Sequence, residues 1–389
     1  MVLFLLNLVK GSLQDELDHF FRLGDTFASR GVTKSAFSQA RQKLRATAFV
    51  ELLDHLVGAF YRLGHARRWQ GLRVLAIDGS TLALPDEMAL ELHFGDVARE
   101  RGERHPLARV AMIYDVLNRL PIAARIASMD DGELTTARPL LKALTPGDLL
   151  LGDRLYPGFL FCRQVLAQQA HFCLRVKTRF NLDVARFYAG DAPEQLITWA
   201  PSKDNRRELR ALGLPTDPIP VRLLRVRLPN GRTEVLMTSL LDAATHPRAA
   251  FYPLYGLRWR IEEGFKMLKL RALTESFSGR SVLAVEQDFH AKILACALNA
   301  VLTLPANQHW EKAVQSDGSA PRQINFSQAL SRFKDHVVCA FLGWVPFAEL
   351  TEFLLKAAVR TTELLRPGRR CLRDYPKRRA PTQPYKPLR

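Results

Sequence analysis

The spacing of apolar and polar positions divides the chain into a helical start, a β-rich middle and a helical end. Up to about residue 63, apolar residues recur at helical spacing in "SLQDELDHFF" and in "VTKSAFSQARQKLRATAFVELLDHLVGAFYRL". Gly24 and Gly31 interrupt this pattern in the segment between them, "RLGDTFASRG". The pattern therefore predicts two helices joined by a turn.

Short β-rich runs begin at Arg73 and then alternate with helical ones. In chain order they are the strands "RVLAID", "ARVAMIYDVL" and "PIAARIASM", the helix "ELTTARPLLKAL", the strand "DLLLGD", the helix "FLFCRQVLAQQA" and the strand "HFCLRVKT". Consecutive strands favour antiparallel hairpins, whereas strands that alternate with helices favour parallel crossovers. The order predicts an α/β fold with a mixed sheet flanked by helices, as in a ribonuclease H-like core.

A second β-rich segment follows, and we interpret it as an insertion. It contains the hairpin candidate "VRLLRVRLPNGRTEVLMTSL", in which Asn230-Gly231 is a strong turn signal. Arg222, Arg225 and Arg227 lie along its first strand. These arginines fit a surface that faces a phosphate backbone and fit a solvated sheet face equally well.

The remaining chain returns to helical spacing and completes a division into five regions. They are a helical region at 1–70, the first part of a core at 71–178, the β-rich insertion at 179–246, the second part of the core at 247–310, and a helical C-terminal region with a basic tail at 311–389. The last predicted helix has apolar residues at helical spacing that fit packing on its own domain or on a second subunit: Phe347, Leu350, Phe353, Leu354 and Ala357.

The composition of the chain indicates what kind of molecule the protein binds. The chain has 389 residues and 47% hydrophobic content, which supports a large core and excludes intrinsic disorder as a class. Its 56 Lys and Arg against 39 Asp and Glu give a net charge of +17. Such a charge points to a polyanion, with nucleic acid as the leading candidate, although it could also serve solubility alone. The tail from Arg366 onward is strongly basic and rich in proline, which predicts a flexible segment.

The second predicted helix has a polar side that would suit DNA reading. Its polar positions are Ser35, Ser38, Gln39, Arg41 and Lys43, and apolar residues at core spacing lie on the other side. Arg41 and Lys43 are therefore candidate DNA-binding residues. An ordinary helical pair explains the same pattern.

Neither the cysteines nor the start of the chain indicates secretion or a membrane. The five cysteines are odd in number and are not closely paired, which predicts reduced thiols in a cytosolic protein and no structural metal: Cys162, Cys173, Cys296, Cys339 and Cys371. The start "MVLFLLNLVKGSLQDELDHFF" has a short apolar run without preceding basic residues or a cleavage site. We expect a buried helix there, not a signal peptide or a membrane span.

Two aspartates close apolar strands and adjoin glycines. Asp78 lies in "LAIDGST" and Asp153 lies in "LLLGDRLY". A strand end that presents a carboxylate, next to a glycine that permits close approach, is a rigid base for a metal ligand. For Asp78 taken alone, a simple Asp-Gly turn is the alternative.

A third carboxylate lies in the charged stretch "YGLRWRIEEGFKMLK". On a regular helix, a set of polar residues would fall within roughly 60° of one another: Tyr255, Arg258, Glu262 and Lys269. In this arrangement Glu262 would bind a metal ion, and Arg258 and Lys269 would hold phosphate oxygens. A solvated helix face with ordinary ion pairs is the alternative.

The spacing Tyr255-x2-Arg258-x3-Glu262-x6-Lys269 resembles the Tyr-Arg-Glu-Lys motif of bacterial DDE transposases, specifically the insertion-sequence-four family. "AIDGST" resembles that family's first Asp motif and "LLGDRLY" the second, and the family also has a β-rich insertion before its Glu-bearing helix. "KGSLQDELDHFF", "SAFSQARQKL" and "KRRAPTQPYKPL" are similar to family sequence as well. Trp259 matches the family's Trp, although a core-packing role fits the sequence equally well.

The resemblance implies a transposase that binds the terminal inverted repeats of an insertion sequence, cleaves DNA and transfers the ends to target DNA. Asp78, Asp153 and Glu262 would be the catalytic residues, with two Mg²⁺ ions as cofactor and Mn²⁺ as a substitute. The residues expected to contact double-stranded DNA in this motif are Tyr255, Arg258, Trp259 and Lys269. We expect a homodimer in the DNA complex and a bacterial cytoplasmic location, at the nucleoid when bound.

Two other functions remain open at this point. One is a nuclease on the same core that lacks strand transfer, and the other is a transposon-derived DNA-binding protein. Family members usually have additional residues before "LFLLNL". From this difference we expect that part of the DNA-end-binding region is missing.

Overall fold

The computed structural model describes residues 1–7, 12–22, 31–98, 104–227, 231–317, 322–341 and 343–364. The α-helices are α1 Val2–Leu6, α2 Leu13–Arg22, α3 Lys34–Arg41, α4 Thr47–Arg62, α5 Met88–Phe94, α6 Glu133–Ala137, α7 Phe159–Ala167, α8 Leu182–Ala189, α9 Lys203–Ala211, α10 Phe251–Gly256, α11 Arg260–Lys266, α12 Val282–Asp317, α13 Phe326–Phe341 and α14 Phe347–Arg360. The strands are β1 Arg73–Ala83, β2 Asp96–Ala98, β3 Arg104–Asp115, β4 Leu120–Ala127, β5 Asp148–Gly152, β6 His171–Val176, β7 Glu194–Trp199, β8 Ile219–Arg227, β9 Thr233–Thr238, β10 Arg322–Ile324 and β11 Thr362–Leu364.

The centre of the protein is a mixed sheet in the predicted order. Strand β3 pairs antiparallel with both β4 and β1, while β1, β5 and β6 run parallel to one another. The strands β1 and β5 are buried because both of their faces are covered, which explains their continuous apolar sequences. The spatial order β4-β3-β1-β5-β6 is that of a ribonuclease H-like core, so the predicted α/β fold class is confirmed.

The predicted insertion continues the same sheet. Strand β9 pairs antiparallel with β6, and β8 and β7 follow outward. The β8–β9 hairpin is confirmed, with Gly231 at a φ of 78°, while Asn230 of the predicted turn lies outside the described residues. Helices α8 and α9 also belong to this segment, so it is less purely β than its sequence pattern indicated.

Two of the three arginines on β8 bind groups within the fold. Arg222 is buried, and it pairs with Glu194 and donates to the backbone oxygen of His246 over 2.7 Å. Arg225 donates from Nε to the backbone oxygen of Ala192 over 3.0 Å. Neither the phosphate-facing nor the solvated interpretation therefore describes Arg222, because it is buried with its own acceptors, whereas Arg225 is half-buried and bound to an exposed loop.

The predicted second helix is in fact two helices, α3 and α4, with a break at residues 42–46. At this break the side-chain amide of Gln287 donates to the backbone oxygens of Arg41 over 3.1 Å and of Leu44 over 2.5 Å. The prediction of one continuous helix was wrong because a residue that is distant in sequence satisfies the carbonyls that the break releases.

Arg41 lies in the interior rather than on a DNA-facing surface. It is 5% exposed, and its guanidinium pairs with Asp288 Oδ1 at 2.8 Å and donates to Ser278 Oγ at 2.7 Å. Further donors reach Gln287 and the backbone oxygen of Ala284. The prediction that Arg41 binds DNA is therefore corrected, because a buried guanidinium needs all of these acceptors to remain inside the fold.

Helix α12 is the central helix of the second half of the chain. Its segment Val282–Trp310 is long and apolar enough to cross a membrane by length and composition, but 67% of the relevant window is buried inside the protein. It packs on α1, α4, β4 and α14. The expectation of a buried helix at the start of the chain also agrees with the structure, since Phe4, Leu5 and Leu6 of α1 are buried.

Helix α14 packs mainly against its own protein. Leu350, Leu354 and Ala358 are buried, whereas Phe347 and Phe353 are 50% and 44% exposed. Packing on its own domain therefore accounts for one side of the helix only. Four cysteines in the described chain are free, namely Cys162, Cys173, Cys296 and Cys339, while Cys371 and the basic tail lie outside the described residues.

The interior position of Arg41 predicts a large stability effect. Arg41→Met leaves the Asp288 carboxylate buried without its cation, so the free energy of unfolding should fall by about 3–5 kcal/mol. Urea denaturation measures this change. The matched control is Lys356→Met, which breaks an ion pair with Glu352 whose side chains are 68% and 63% exposed, and we expect no measurable change there. Equal free energies of unfolding for Arg41→Met and Lys356→Met would contradict the interior role of Arg41.

Candidate active site

The neighbouring parallel strands β1 and β5 place Asp78 and Asp153 at equivalent positions along the strand direction. In the register of β1 and β5, Ala76 lies opposite Leu151. Two residues further along each chain are Asp78, within β1, and Asp153, directly after β5. Adjacent strands in a sheet lie about 4.8 Å apart. The sheet thus places both carboxylates side by side on rigid backbone.

Asp78 is largely buried and electrostatically strained. Its side chain is 20% exposed, and the backbone N–H of Gly79 donates to its Oδ1 over 3.0 Å. Burial raises the pKa of Asp78 to about 6, and the nearby Glu133 and Asp153 charges act in the same direction, against the lowering effects of the Gly79 N–H and Arg258. A nearby cation therefore favours the ionised form of Asp78.

Asp153 is fixed by the turn that follows β5. Its Oδ1 accepts from the backbone N–H of Leu155 over 2.7 Å, and its backbone oxygen accepts from Tyr156 over 3.3 Å. Just before it, the backbone oxygen of Gly152 accepts from the hydroxyl of Tyr255 over 3.2 Å. Tyr255, predicted to face DNA, is buried and holds the Asp153 segment against α10.

The segment that carries Glu262 is not one regular helix. A 3₁₀ turn at Leu257–Trp259 separates α10 from α11, and a π-helical turn follows at Met267–Arg271. The predicted single polar face is therefore interrupted on both sides of Glu262. Gly264 lets α11 lie close to β3, because a Cβ there would be 3.2 Å from the Tyr114 ring. This close packing carries Glu262 to the strand ends.

Arg258 is the cation around which the carboxylates gather. It is 7% exposed, and its Nη1 lies 3.5 Å from Asp78 Oδ2 while its Nη2 lies 3.4 Å from Glu262 Oε1. Burial alone would lower the pKa of Arg258, but Tyr255, Asp78, Glu262 and Asp153 outweigh it and raise that pKa. Asp78 and Glu262 thus contact Arg258 directly, while Asp153 acts on Arg258 through its charge.

The other predicted DNA contacts lie in different surroundings. Trp259 is 52% exposed, and the Arg258 guanidinium lies 5.1 Å from its ring centroid, which excludes a core-packing role. Lys269 is half-buried in the π-helical turn, and Lys43 is exposed after α3. Arg41 is not part of this group, because its partners lie within residues 278–288.

The donor atoms suit a hard divalent cation. Three carboxylates supply only oxygen ligands, which Mg²⁺ and Mn²⁺ prefer, and Arg258 shows that Asp78 and Glu262 can share one positive charge. In the parts of the chain that the structure describes, no group of three or more His, Cys, Asp or Glu side chains lies close enough together to hold a metal ion. The oxygen donors therefore fit Mg²⁺ or Mn²⁺. In this structure, the spacing of Asp78 and Glu262 is set by their contacts with Arg258.

Sequence reasoning missed two residues behind this site, Glu133 and Tyr156. The hydroxyl of Tyr156 donates to Glu133 Oε1 over 2.9 Å, and the Glu133 carboxyl lies against Gly79. The sequence contained part of the information, because Gly79 indicated that another group could approach closely next to Asp78. The sequence did not indicate which group approaches.

Two curated proteins are similar in sequence to this chain. The chain is 25% identical over 309 residues to transposase InsG for insertion sequence element IS4 of Escherichia coli, covering 77% of this chain and 66% of that protein. It is 26% identical over 195 residues to the putative transposase y4zB of Sinorhizobium fredii, covering 49% and 52%. The chain thus spans about two thirds of the length of one curated relative and about half of the other.

Among solved structures, a cryo-EM structure of the piggyBac transposase synaptic complex with hairpin DNA aligns over 91% of this chain and 73% of its own, with a TM-score of 0.41 and 10% identity. The family model described as "Transposase DDE domain" matches residues 69–300. This range is more than half of the chain and runs from the residues before β1 into α12, so it includes Asp78, Asp153 and Glu262. The protein belongs to the transposase DDE domain family.

Proposed function

We propose that this protein is a transposase that binds the terminal inverted repeats of an insertion sequence and catalyses metal-dependent DNA strand cleavage and transfer. The observation that carries the proposal is the contact of the buried Arg258 with Asp78 and Glu262, with Asp153 near enough to act on its charge. A net charge of +17 adds a general attraction to the phosphates of double-stranded DNA, both the repeats and the target.

In this mechanism the three carboxylates hold two divalent cations, with Mg²⁺ as the cofactor and Mn²⁺ as its substitute. The chemistry such a pair supplies is activation of the attacking oxygen and stabilisation of the leaving oxygen in an in-line displacement. The strands β1 and β5 keep Asp78 and Asp153 in fixed positions, and α11 brings Glu262 to them. Rigid placement matters because small displacements at a reacting centre cost large factors in rate.

Arg258 balances the charge of the site and offers planar donors to phosphate oxygens. The exposed ring of Trp259 beside it is suited to stacking on a base or sugar of DNA. Lys269 and Lys43 add positive charge for the backbone. Tyr255 acts indirectly, because its buried hydroxyl holds the backbone of Gly152 next to Asp153.

Assembly and location follow from the same proposal. An insertion sequence has two ends that must be cut and inserted together. A homodimer in the DNA complex is therefore the simplest assembly that can act on both ends. The exposed Phe347 and Phe353 on α14 provide apolar surface that its own domain does not cover. The free cysteines in the described chain are consistent with bacterial cytoplasm, with the protein at the nucleoid when bound to DNA.

The proposal is tested with labelled DNA that carries the terminal repeats, with and without Mg²⁺. We expect a gel shift without the ion, and cleavage followed by joining to target DNA with it. Hydrolysis without joining would identify a nuclease instead. Binding without any cleavage would identify a DNA-binding protein derived from a transposon.

Glu262→Gln separates catalysis from binding. The amide keeps the size of the side chain but removes the charge that holds the cation, so cleavage should be lost while the gel shift remains. The matched control is Glu263→Gln, because Glu263 is a neighbour on α11 that is exposed and pairs with Lys266 at 2.6 Å. Equal loss of cleavage and of DNA affinity in Glu262→Gln would assign this residue to folding or to the DNA interface.

Asp78→Asn should stabilise the cation-free protein. Because burial raises the pKa of Asp78 to about 6, its charged form opposes folding, and this cost appears as the pH rises from the unfolded pKa through about 6. The substitution should raise the free energy of unfolding by up to about 3 kcal/mol near pH 7.5, with little gain near pH 4. Urea unfolding in EDTA at both pH values measures this change in the free energy of unfolding. A gain that does not depend on pH would show that the buried charge of Asp78 is not its cause.

Lys43→Ala tests the proposed role of the N-terminal helices in DNA binding. Because Lys43 is exposed, loss of one phosphate contact should reduce the slope of log affinity against log salt by about one unit. The control is Lys356→Ala on α14, also exposed, for which the slope should stay constant. An unchanged slope in Lys43→Ala would count against the contact.

A further inference from the structure

Glu133 and Tyr156 form a hydrogen-bonded pair beside the two strand ends. Glu133 is the first residue of α6, and the fully buried Tyr156 follows Asp153 by three residues. The Tyr156 hydroxyl donates to Glu133 Oε1 over 2.9 Å. Burial raises the pKa of Tyr156 well above its ordinary value, and the Glu133 and Asp78 charges add to this effect. The hydroxyl therefore stays protonated and acts as the donor.

Each member of the pair lies against the glycine that adjoins a catalytic aspartate. A Cβ on Gly79 would lie 2.6 Å from Glu133 Cδ, and a Cβ on Gly152 would lie 3.2 Å from Tyr156 Cβ. The first distance is shorter than real Cβ contacts, so a side chain at Gly79 would displace Glu133. The two glycines are thus the places where the pair approaches the strands.

Glu133 and Tyr156 lie on the side of the strands opposite to the side chains of Asp78 and Asp153. Successive residues of a strand face opposite sides of the sheet, so Glu133 lies on the side of β1 opposite to the Asp78 side chain. The same alternation places Tyr156 opposite the Asp153 side chain across the end of β5. The hydrogen bond therefore ties together the two strand ends without touching the reacting side.

Glu133 also adds charge to the site. In the described chain, no Lys, Arg or His forms an ion pair with it, and Tyr156 is its hydrogen-bond donor. Its carboxyl lies against Gly79, the residue next to Asp78. A half-buried carboxylate without its own cation increases the demand for positive charge at Asp78.

We propose that Glu133 is a positioning residue of the active site, which fixes the Asp78 and Asp153 strand ends through Tyr156 and strengthens cation binding at Asp78 through its charge. This inference rests on the proposed function, in which these aspartates hold the divalent cation. A packing role alone would give Glu133 an effect on folding without an effect on the cation.

The test is Mn²⁺ binding to the full-length chain without DNA, followed by electron paramagnetic resonance. Glu133→Gln keeps the size and an oxygen that accepts from Tyr156, but removes the charge. We expect about tenfold weaker Mn²⁺ binding, as for residues that support metal ligands, with an unchanged melting temperature. Tyr156→Phe keeps the charge but releases the strand ends, so it should lower kcat for end cleavage at saturating Mn²⁺ and leave KM for DNA unchanged.

Two controls separate this inference from the proposed function. Glu352→Gln removes one exposed negative charge on α14 and should bind Mn²⁺ as the parent does. If Glu262→Gln loses Mn²⁺ while Glu133→Gln retains parental affinity, the role of Glu133 is overturned and the proposed site stands. If Glu262→Gln also binds normally, the proposed site is wrong and the inference is overturned with it.

Glu133→Asp covers the case in which the Gln variant does not fold. Its carboxylate keeps the charge but is withdrawn from Gly79 and Tyr156 by one methylene. Mn²⁺ affinity per folded chain should then fall several-fold, and cleavage should fall with it. Parental affinity and parental kcat in this variant would overturn the positioning role.

Discussion

The repulsion among three carboxylates is the constraint on which the arrangement of this site depends. Two like charges about 4 Å apart near a protein surface repel by about 4 kcal/mol, so the approach of Asp78, Asp153 and Glu262 favours a compensating cation. Arg258 supplies it, at 3.5 Å from Asp78 and 3.4 Å from Glu262. Arg258 does not cancel every effect on Asp78, because burial is the main cause of its raised pKa and the Glu133 and Asp153 charges add to it.

The rest of the fold delivers Arg258 and Glu262 to that position. The β7–β9 segment extends the sheet from β6, and the chain then returns through residues 239–250 to α10 above the strand ends. Trp69, just before β1, stacks on His246 at 5.7 Å and meets Phe251 at 6.1 Å. The insertion is therefore part of how the site is built, because it sets where the Glu262 segment begins.

Local patterns in the sequence predicted the strand order and the β8–β9 hairpin, because each depends on periodicity or on a turn signal. Asp78 and Glu262 both contact Arg258, while a shared cation site that also includes Asp153 stays a prediction. The errors share a different physical origin. The α3–α4 break and the burial of Arg41 depend on Gln287 and Asp288, about 246 residues away, and periodicity carries no information about such partners. Glu133 was missed for the same reason, since its contacts with Gly79 and Tyr156 exist only in the folded chain.

Arg258 cannot serve two partners with the same donors. Its Nη1 and Nη2 both point to carboxylates, and among the described groups its buried Nε has no hydrogen-bond partner. A phosphate can therefore take this guanidinium only if other positive charge replaces it at Asp78 and Glu262, since an uncompensated buried carboxylate is costly. In the proposed function, divalent cations would supply that charge, so their binding and the release of Arg258 towards DNA would be thermodynamically linked. By the same linkage, DNA binding through Arg258 would favour the cation-bound state of the carboxylates.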